Sequence, residues 1–402
     1  MTARLRQVIA TAAVFLLGIA AAELTLQVAV RVSPRVAYLL APPWSRRVIP
    51  DTILGFRLSP YAAEIDAWGY RNDSVPARST IVTIGDSFTY GFGALSHEAW
   101  PRQLGALLER DVYNGGIGGY GPCEYATVLD RLQALSPEIV IVGVHPGNDL
   151  ADAYRAAYQD ERCPELRDTA AIPELLALDR RASLEQLAQE GGWEGNGPSP
   201  AERQLAGARR WLARTSQLYA LARSVRYAGW GTTASSFEAA SAQPNRLPFA
   251  NPQVQRTVFR APDAYAVAVD LEDARIRAGF RVTERALVSM AARTRDSGGR
   301  FVVVMIMGKQ AMFGPVIAER DSTALPPAFY RLVRLEEQVD SELTAMLQGH
   351  GIEVVQTDSA IREALRRGER VYPESEDNHL NGTGYRLVAL VVSESLRQRA
   401  KR

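Results

Sequence analysis

The chain has 402 residues, 47% of them hydrophobic, enough for one large domain or two small ones. Its formal net charge is +1, which gives no electrostatic case for nucleic acid or for a strongly basic membrane patch. The two cysteines, Cys123 and Cys163, exclude a cysteine-built zinc site and leave one disulfide to consider.

At the N-terminus, Arg4 and Arg6 precede the uncharged run Val8 to Ala22. The apolar pattern continues through Leu24, Leu26, Val28 and Val30, broken by Glu23 and Gln27. This stretch is long enough to span a bilayer with its basic flank inside. A secretory signal peptide is the rival reading, because Ala20-Ala21-Ala22 has the small residues of a cleavage site. Glu23 inside a bilayer is costly unless partnered or interfacial. The periodicity does not stop at Ala22, which favours an uncleaved anchor over residues 8–32 with residues 1–7 cytoplasmic. Either reading exports the rest of the chain. Residues 33–77 follow as a linker and edge-packing segment. Pro34, Pro42, Pro43 and Pro50 mark the linker. Asp51 to Asn72 mixes apolar and aromatic residues without helical period and reads as packing across a sheet edge.

From Thr80, strand and helix patterns alternate, as in a parallel sheet with helices on both faces. The spacing predicts strands over Ile81–Ile84, Val112–Tyr113, Ile139–Val144, Phe301–Ile306 and Ile352–Val355. It predicts helices over Trp100–Leu108, Glu124–Leu135, Val282–Asp296, Leu332–Gln348 and Thr383–Arg397. Residues from about 150 to 280 exceed the usual strand-to-helix connection and read as a largely helical insertion. Within it, Ala201–Tyr227 carries apolar residues at helical spacing. The insertion reads equally as a cover for a cleft or as a packing appendage.

Ile81 to Gly91 sets a β-branched run, then a glycine, then Asp86 and Ser87 at a helix mouth. A serine on such a strand-to-helix turn stands at the sheet's carboxyl edge, where ligands bind. Ser87 alone also suits a plain helix cap. Three further clusters follow: Asn114-Gly115-Gly116-Ile117-Gly118-Gly119, Gly147-Asn148-Asp149 and Asp377-Asn378-His379. Gly116 to Gly121 also fits Gly-x-Gly-x-x-Gly, but no acidic residue closes a second strand at the distance a dinucleotide site needs. Of the four histidines, His97, His145, His350 and His379, only His379 has a cluster of acids just before it. His145 reads as a loop or substrate-contacting residue.

These four ordered clusters resemble the blocks of the SGNH/GDSL hydrolase superfamily, over roughly Asp51 to the C-terminus with a departure in the middle. No Gly-x-Ser-x-Gly elbow points to the α/β-hydrolases instead. The resemblance implies a flavodoxin-like three-layer α/β/α domain over residues 78–402. It implies Ser87 as nucleophile and His379 as base, with the amides of Ser87 and Gly119 and the side chain of Asn148 as oxyanion donors. The common superfamily spacing makes Glu376 the acid. The alginate O-acetyltransferase branch is similar in carrying Asp-x-His, which points to Asp377. Asp377 is chosen and Glu376 kept as alternate.

The implied activity is serine-dependent acyl-ester hydrolysis, without metal or cofactor. The implied substrate is a small ester or an O-acylated cell-envelope or exported polysaccharide. The implied place is the bacterial inner membrane, single-pass, with the catalytic domain outside. Two other readings stay open. One is an O-acetyltransferase fed by a membrane acyl-donor partner; the other is a catalytically silent, membrane-tethered glycan-binding component. Cys123 follows Gly119 closely, and Cys163 lies early in the insertion. In a doubly wound sheet both loops leave one edge, so a bridge and two separate buried thiols remain equal expectations.

Overall fold

A computed structural model describes residues 3–33, 36, 48–60, 62, 64–191, 216–219, 221, 237–243, 245–251 and 253–400. The chain divides into two compact units. One comprises Met1–Asp51, Phe56–Ala63 and Asn196–Thr233; the other comprises Thr52–Gly55, Glu64–Gly195 and Ala234–Arg402.

The first unit contains helix α1 (Ala3–Val32). Among the described residues it is the one helix long and apolar enough to cross a membrane. Its Val14, Phe15, Leu16 and Leu17 are exposed. The Glu23 carboxylate accepts hydrogen bonds from Gln27 Nε2 at 3.0 Å, Ser216 Oγ at 2.9 Å and Gln217 N–H at 2.7 Å. The proline-marked linker falls largely outside the described residues, as does most of the expected helix Ala201–Tyr227.

The second unit is built on five parallel strands: β1 (Ile81–Gly85), β2 (Val112–Gly116), β3 (Ile139–Val144), β4 (Arg300–Met305) and β5 (Glu353–Gln356). Their spatial order is β2-β1-β3-β4-β5, which is flavodoxin-like. β1 and β3 are buried at every position, as expected for strands covered on both faces. The flanking helices are α2 (Trp100–Leu108), α3 (Pro122–Leu132), α4 (Pro146–Tyr154), α5 (Ala274–Asp296), α6 (Lys309–Ala318), α7 (Pro327–Gly349), α8 (Asp358–Arg366) and α9 (Gly382–Ala400). One apolar cluster joins Ile81, Ile139, Ile141, Val302 and Val304 to Trp100 and Leu104 of α2 and to Val388 and Val392 of α9. α3 and α5 pack on the sheet from the other side. The fold is therefore the three-layer α/β/α sandwich expected.

Details depart from the sequence reading. β2 runs on through Asn114, Gly115 and Gly116, which pair in register with Thr83, Ile84 and Gly85. α5 begins at Ala274, capped by the Asp273 side chain, earlier than expected. α3 begins at Pro122 and gives way to a 3-10 turn at Gln133. The described part of the insertion holds helices Ile172–Arg181 and Leu184–Gly191. It also holds an unanticipated antiparallel hairpin, Arg246–Phe249 with Thr257–Arg260.

β2 is an edge strand, and Glu64 to Asn72 covers it. The Asn72 side chain mimics a neighbouring strand: its Nδ2 donates to Asn114 O at 3.0 Å and its Oδ1 accepts from Asn114 N–H at 2.9 Å. Tyr113 donates its hydroxyl to Asp66 Oδ2 at 2.6 Å. Such cover removes an edge open to pairing with another chain. Arg71 reaches onward and donates to Gly91 O at 2.8 Å, so the same segment buttresses the turn that carries Ser87.

Candidate active site

β1 ends at Gly85, and the chain passes through Asp86 into the single helical turn Ser87–Tyr90. Gly85 lies opposite Gly116 of β2 and Gly143 of β3. A Cβ at Gly85 would stand 2.2 Å from Thr89 Oγ1, and one at Gly116 would stand 2.4 Å from Tyr90 N. The turn thus sits directly on the strand ends, in space that only glycines leave open. Asp86 Oδ1 accepts from Phe88 N–H at 2.8 Å. The cap is therefore supplied by Asp86, and the Ser87 hydroxyl is left for other partners.

That hydroxyl meets His379, in the loop before α9. Ser87 Oγ lies 2.8 Å from His379 Nε2. His379 Nδ1 lies 2.6 Å from Asp377 Oδ1, which also accepts from His379 N–H at 3.0 Å. With Nδ1 donating to Asp377, Nε2 is the acceptor for the Ser87 hydroxyl. The carboxylate on the ring is thus that of Asp377, while Glu376 precedes it in the loop. Burial pushes the Asp377 carboxyl up, but the hydrogen bond and charge of His379, with Lys309 beyond, hold it below the usual range. Phe88 and Phe92 pack on the His379 ring at 4.8 and 5.3 Å between centroids.

The other predicted residues gather nearby. A Cβ at Gly118 would stand 3.5 Å from Ser87 Cβ, which places the β2–α3 loop against the serine. Gly119 follows with φ of 86°, a left-handed conformation that favours glycine. Gly121 N–H donates to Glu124 Oε2 at 3.0 Å, and Glu124 pairs with Arg162 at 2.6 Å, which fixes the loop's exit. Asn148 lies in the first turn of α4. Its Nδ2 donates to Asp152 Oδ2 at 3.0 Å and reaches Asp86 Oδ2, beside Ser87, at 3.4 Å. Burial pushes the Asp152 carboxyl up to about 6, against the pull of Arg155.

These positions form one constellation along the carboxyl ends of β1, β2 and β3 together with the loop before α9. Residues 83–248 match the GDSL-like Lipase/Acylhydrolase family. The matching stretch holds the serine, glycine and asparagine clusters, while Asp377 and His379 lie beyond it. Among solved structures, a member of the lipolytic protein G-D-S-L family from Veillonella parvula is 12% identical, with TM-score 0.34, over 78% of this chain and 96% of that one. A catalytic mutant of Axe2, an acetylxylan esterase from Geobacillus stearothermophilus, is 11% identical, with TM-score 0.36, over 80% of this chain and 94% of that one. No curated protein sequence matches the chain.

His145 lies in the loop between β3 and α4, one of the two places expected for it, with its side chain turned inward. It is buried, its Nδ1 donates to Ile306 O at 2.8 Å, and its ring packs on Phe88 at 4.2 Å. Burial pushes its imidazole down, which favours the neutral ring in this packed position. Asp149, of the same cluster, accepts from His145 N–H at 2.9 Å and from the Tyr125 hydroxyl at 2.8 Å. The sequence reading missed Asp86 as cap and Asp152 as the partner of Asn148. Asp152 had a signal, since it lies one helical turn from Asn148.

Proposed function

We propose that the chain is a serine-dependent acyl-ester hydrolase. The observation that carries this is the unbroken relay Asp377–His379–Ser87, with contacts of 2.6 and 2.8 Å. Ser87 Oγ attacks the ester carbonyl as its proton passes to His379 Nε2. Asp377 holds the ring and stabilises the imidazolium. The oxyanion is met by the amides of Ser87 and Gly119 and by Asn148 Nδ2. Asp152 takes one hydrogen of that amide, and the other, held only at 3.4 Å by Asp86 Oδ2 beside Ser87, turns to the oxyanion in this mechanism. His379 returns the proton to the leaving alcohol. Water then attacks the acyl-serine, giving up its proton to His379, and the free acid and Ser87 are regenerated.

A serine-reactive fluorophosphonate tests this on the full chain in detergent. The expected adduct lies on Ser87 and disappears in Ser87→Ala. Failure to label folded wild-type protein overturns the enzyme reading.

The substrate proposed is an O-acylated polysaccharide of the envelope or beyond it, reached because α1 anchors an exported domain. The Lys/Arg rule keeps Arg4 and Arg6 in the cytoplasm. A C-terminal alkaline phosphatase fusion is expected to be active in a bacterial host. An inactive fusion, beside an active cytoplasmic reporter at the same position, sinks both the export and the envelope substrate. Acyl transfer to a sugar hydroxyl is the second reading. It is favoured by the Asp-x-His spacing, which puts Asp377 two residues before His379 on the ring nitrogen.

A further inference from the structure

Behind the relay lies a buried amine. Lys309 opens α6 and is 1% exposed. Its Nζ donates to Ser375 O at 2.9 Å, to Thr257 Oγ1 at 3.0 Å and to Pro373 O at 3.4 Å. Its backbone N–H donates to Asn378 Oδ1 at 3.0 Å. Three of the four acceptors belong to the loop that carries Asp377 and His379. The fourth, Thr257, lies on the hairpin, and its own hydroxyl donates to Pro373 O at 3.1 Å. The hairpin also grips the start of this loop. Gln255 Oε1 accepts from Val371 N–H at 3.0 Å and Tyr372 N–H at 3.1 Å, and Arg256 pairs with Glu374 at 2.7 Å.

We infer that Lys309 is a positioning residue for the relay, its buried ammonium tying the Pro373–Asn378 loop to α6 and setting the charge felt by Asp377. This rests on the hydrolase reading above. Nζ is spent on oxygens away from Ser87, so Lys309 acts through the loop and not on substrate. A buried ammonium whose partners are neutral oxygens is an expensive choice for mere packing, since methionine fills similar space without a charge. The charged groups facing it are Asp377 and Glu376 from the loop and Arg260 from the hairpin. Burial lowers the amine to about 7, against Asp377 and Glu376, which raise it. The positive charge is thus present below neutrality and fades above it.

The sign of the effect follows. The ammonium and the imidazolium share the field of Asp377, so each disfavours the other. Removing the ammonium leaves the imidazolium more stable, and Ser87 then loses its base at a higher pH. The test measures the rate of fluorophosphonate labelling against pH in full-length protein, which needs no known substrate. Lys309→Met is expected to lower the rate by about tenfold to a hundredfold through loop displacement. It is also expected to move the acid limb upward by about half a pH unit or more. A rate that falls with an unmoved limb means a merely structural lysine and overturns the inference; so does an unchanged rate. Should Lys309→Met fail to fold, Thr257→Val removes one acceptor and destabilises the ammonium. It is expected to move the limb the same way by less, and an unmoved limb there overturns the inference too. Wild-type protein that takes no label at Ser87 instead removes the hydrolase reading, and this inference with it.

Discussion

Asp377→Asn lowers turnover by about four orders of magnitude while leaving the fold intact, if the acid does here what a buried carboxylate does in other serine relays. The geometry sets the expectation. Asp377 Oδ1 accepts both the ring Nδ1–H at 2.6 Å and the His379 backbone N–H at 3.0 Å. One carboxylate therefore fixes the tautomer, the ring plane and the loop together. The amide has no charge to stabilise the imidazolium, and its NH2 favours the tautomer with the proton on the wrong nitrogen. Glu376→Gln is expected to cost far less, because the ring nitrogen meets Asp377. Steady-state rates with a small acetyl ester, normalised to circular dichroism of each variant, decide between them. A larger loss from Glu376→Gln would reassign the acid and leave the serine mechanism standing.

The four clusters were legible because each is local. A β-branched run followed by Gly85-Asp86-Ser87 states a strand, a close approach and a polar turn within a few residues. The acid choice was harder, since Glu376 and Asp377 are adjacent and only the fold says which one faces the ring. Contacts between distant segments were not legible. Lys309 lies over 60 residues from the loop it holds, and nothing near it in sequence hints at burial. α6 was not among the expected helices, and it contains Gly314 and Pro315, residues that ordinarily weaken or break a helix. In the structure, a Cβ at Gly314 would stand 2.6 Å from Val333 Cγ2, so that glycine lets α6 and α7 approach closely. The hairpin likewise carries Pro248 within a strand, which is tolerated because its sheet has two strands and both are edges.

Reduction of the disulfide is expected to cost the protein much of its margin of stability. Cys123 and Cys163 are bridged, with 5.8 Å between their Cα atoms. This decides between the two arrangements that spacing alone left equal. The bridge joins the N-terminus of α3, just beyond Gly119, to the segment after α4. It is buried in a small apolar cluster with Ala153, Tyr154, Tyr158, Leu175 and Val282. The closed loop spans 40 residues, for which the chain-entropy relation gives about 4 kcal/mol. That is a large share of the roughly 5–15 kcal/mol typical of a whole domain. The Glu124–Arg162 pair ties the same two segments at 2.6 Å, so the loop that presents Gly119 is held twice. The double variant Cys123→Ser, Cys163→Ser should therefore unfold at clearly lower urea than the oxidised wild type. It should lose less in labelling rate at Ser87 than in stability, because the ion pair persists. Urea titrations followed by tryptophan fluorescence, with and without reductant, measure the difference. Coincident midpoints for oxidised and reduced protein would show that the bridge constrains nothing that the cluster and the ion pair do not already hold.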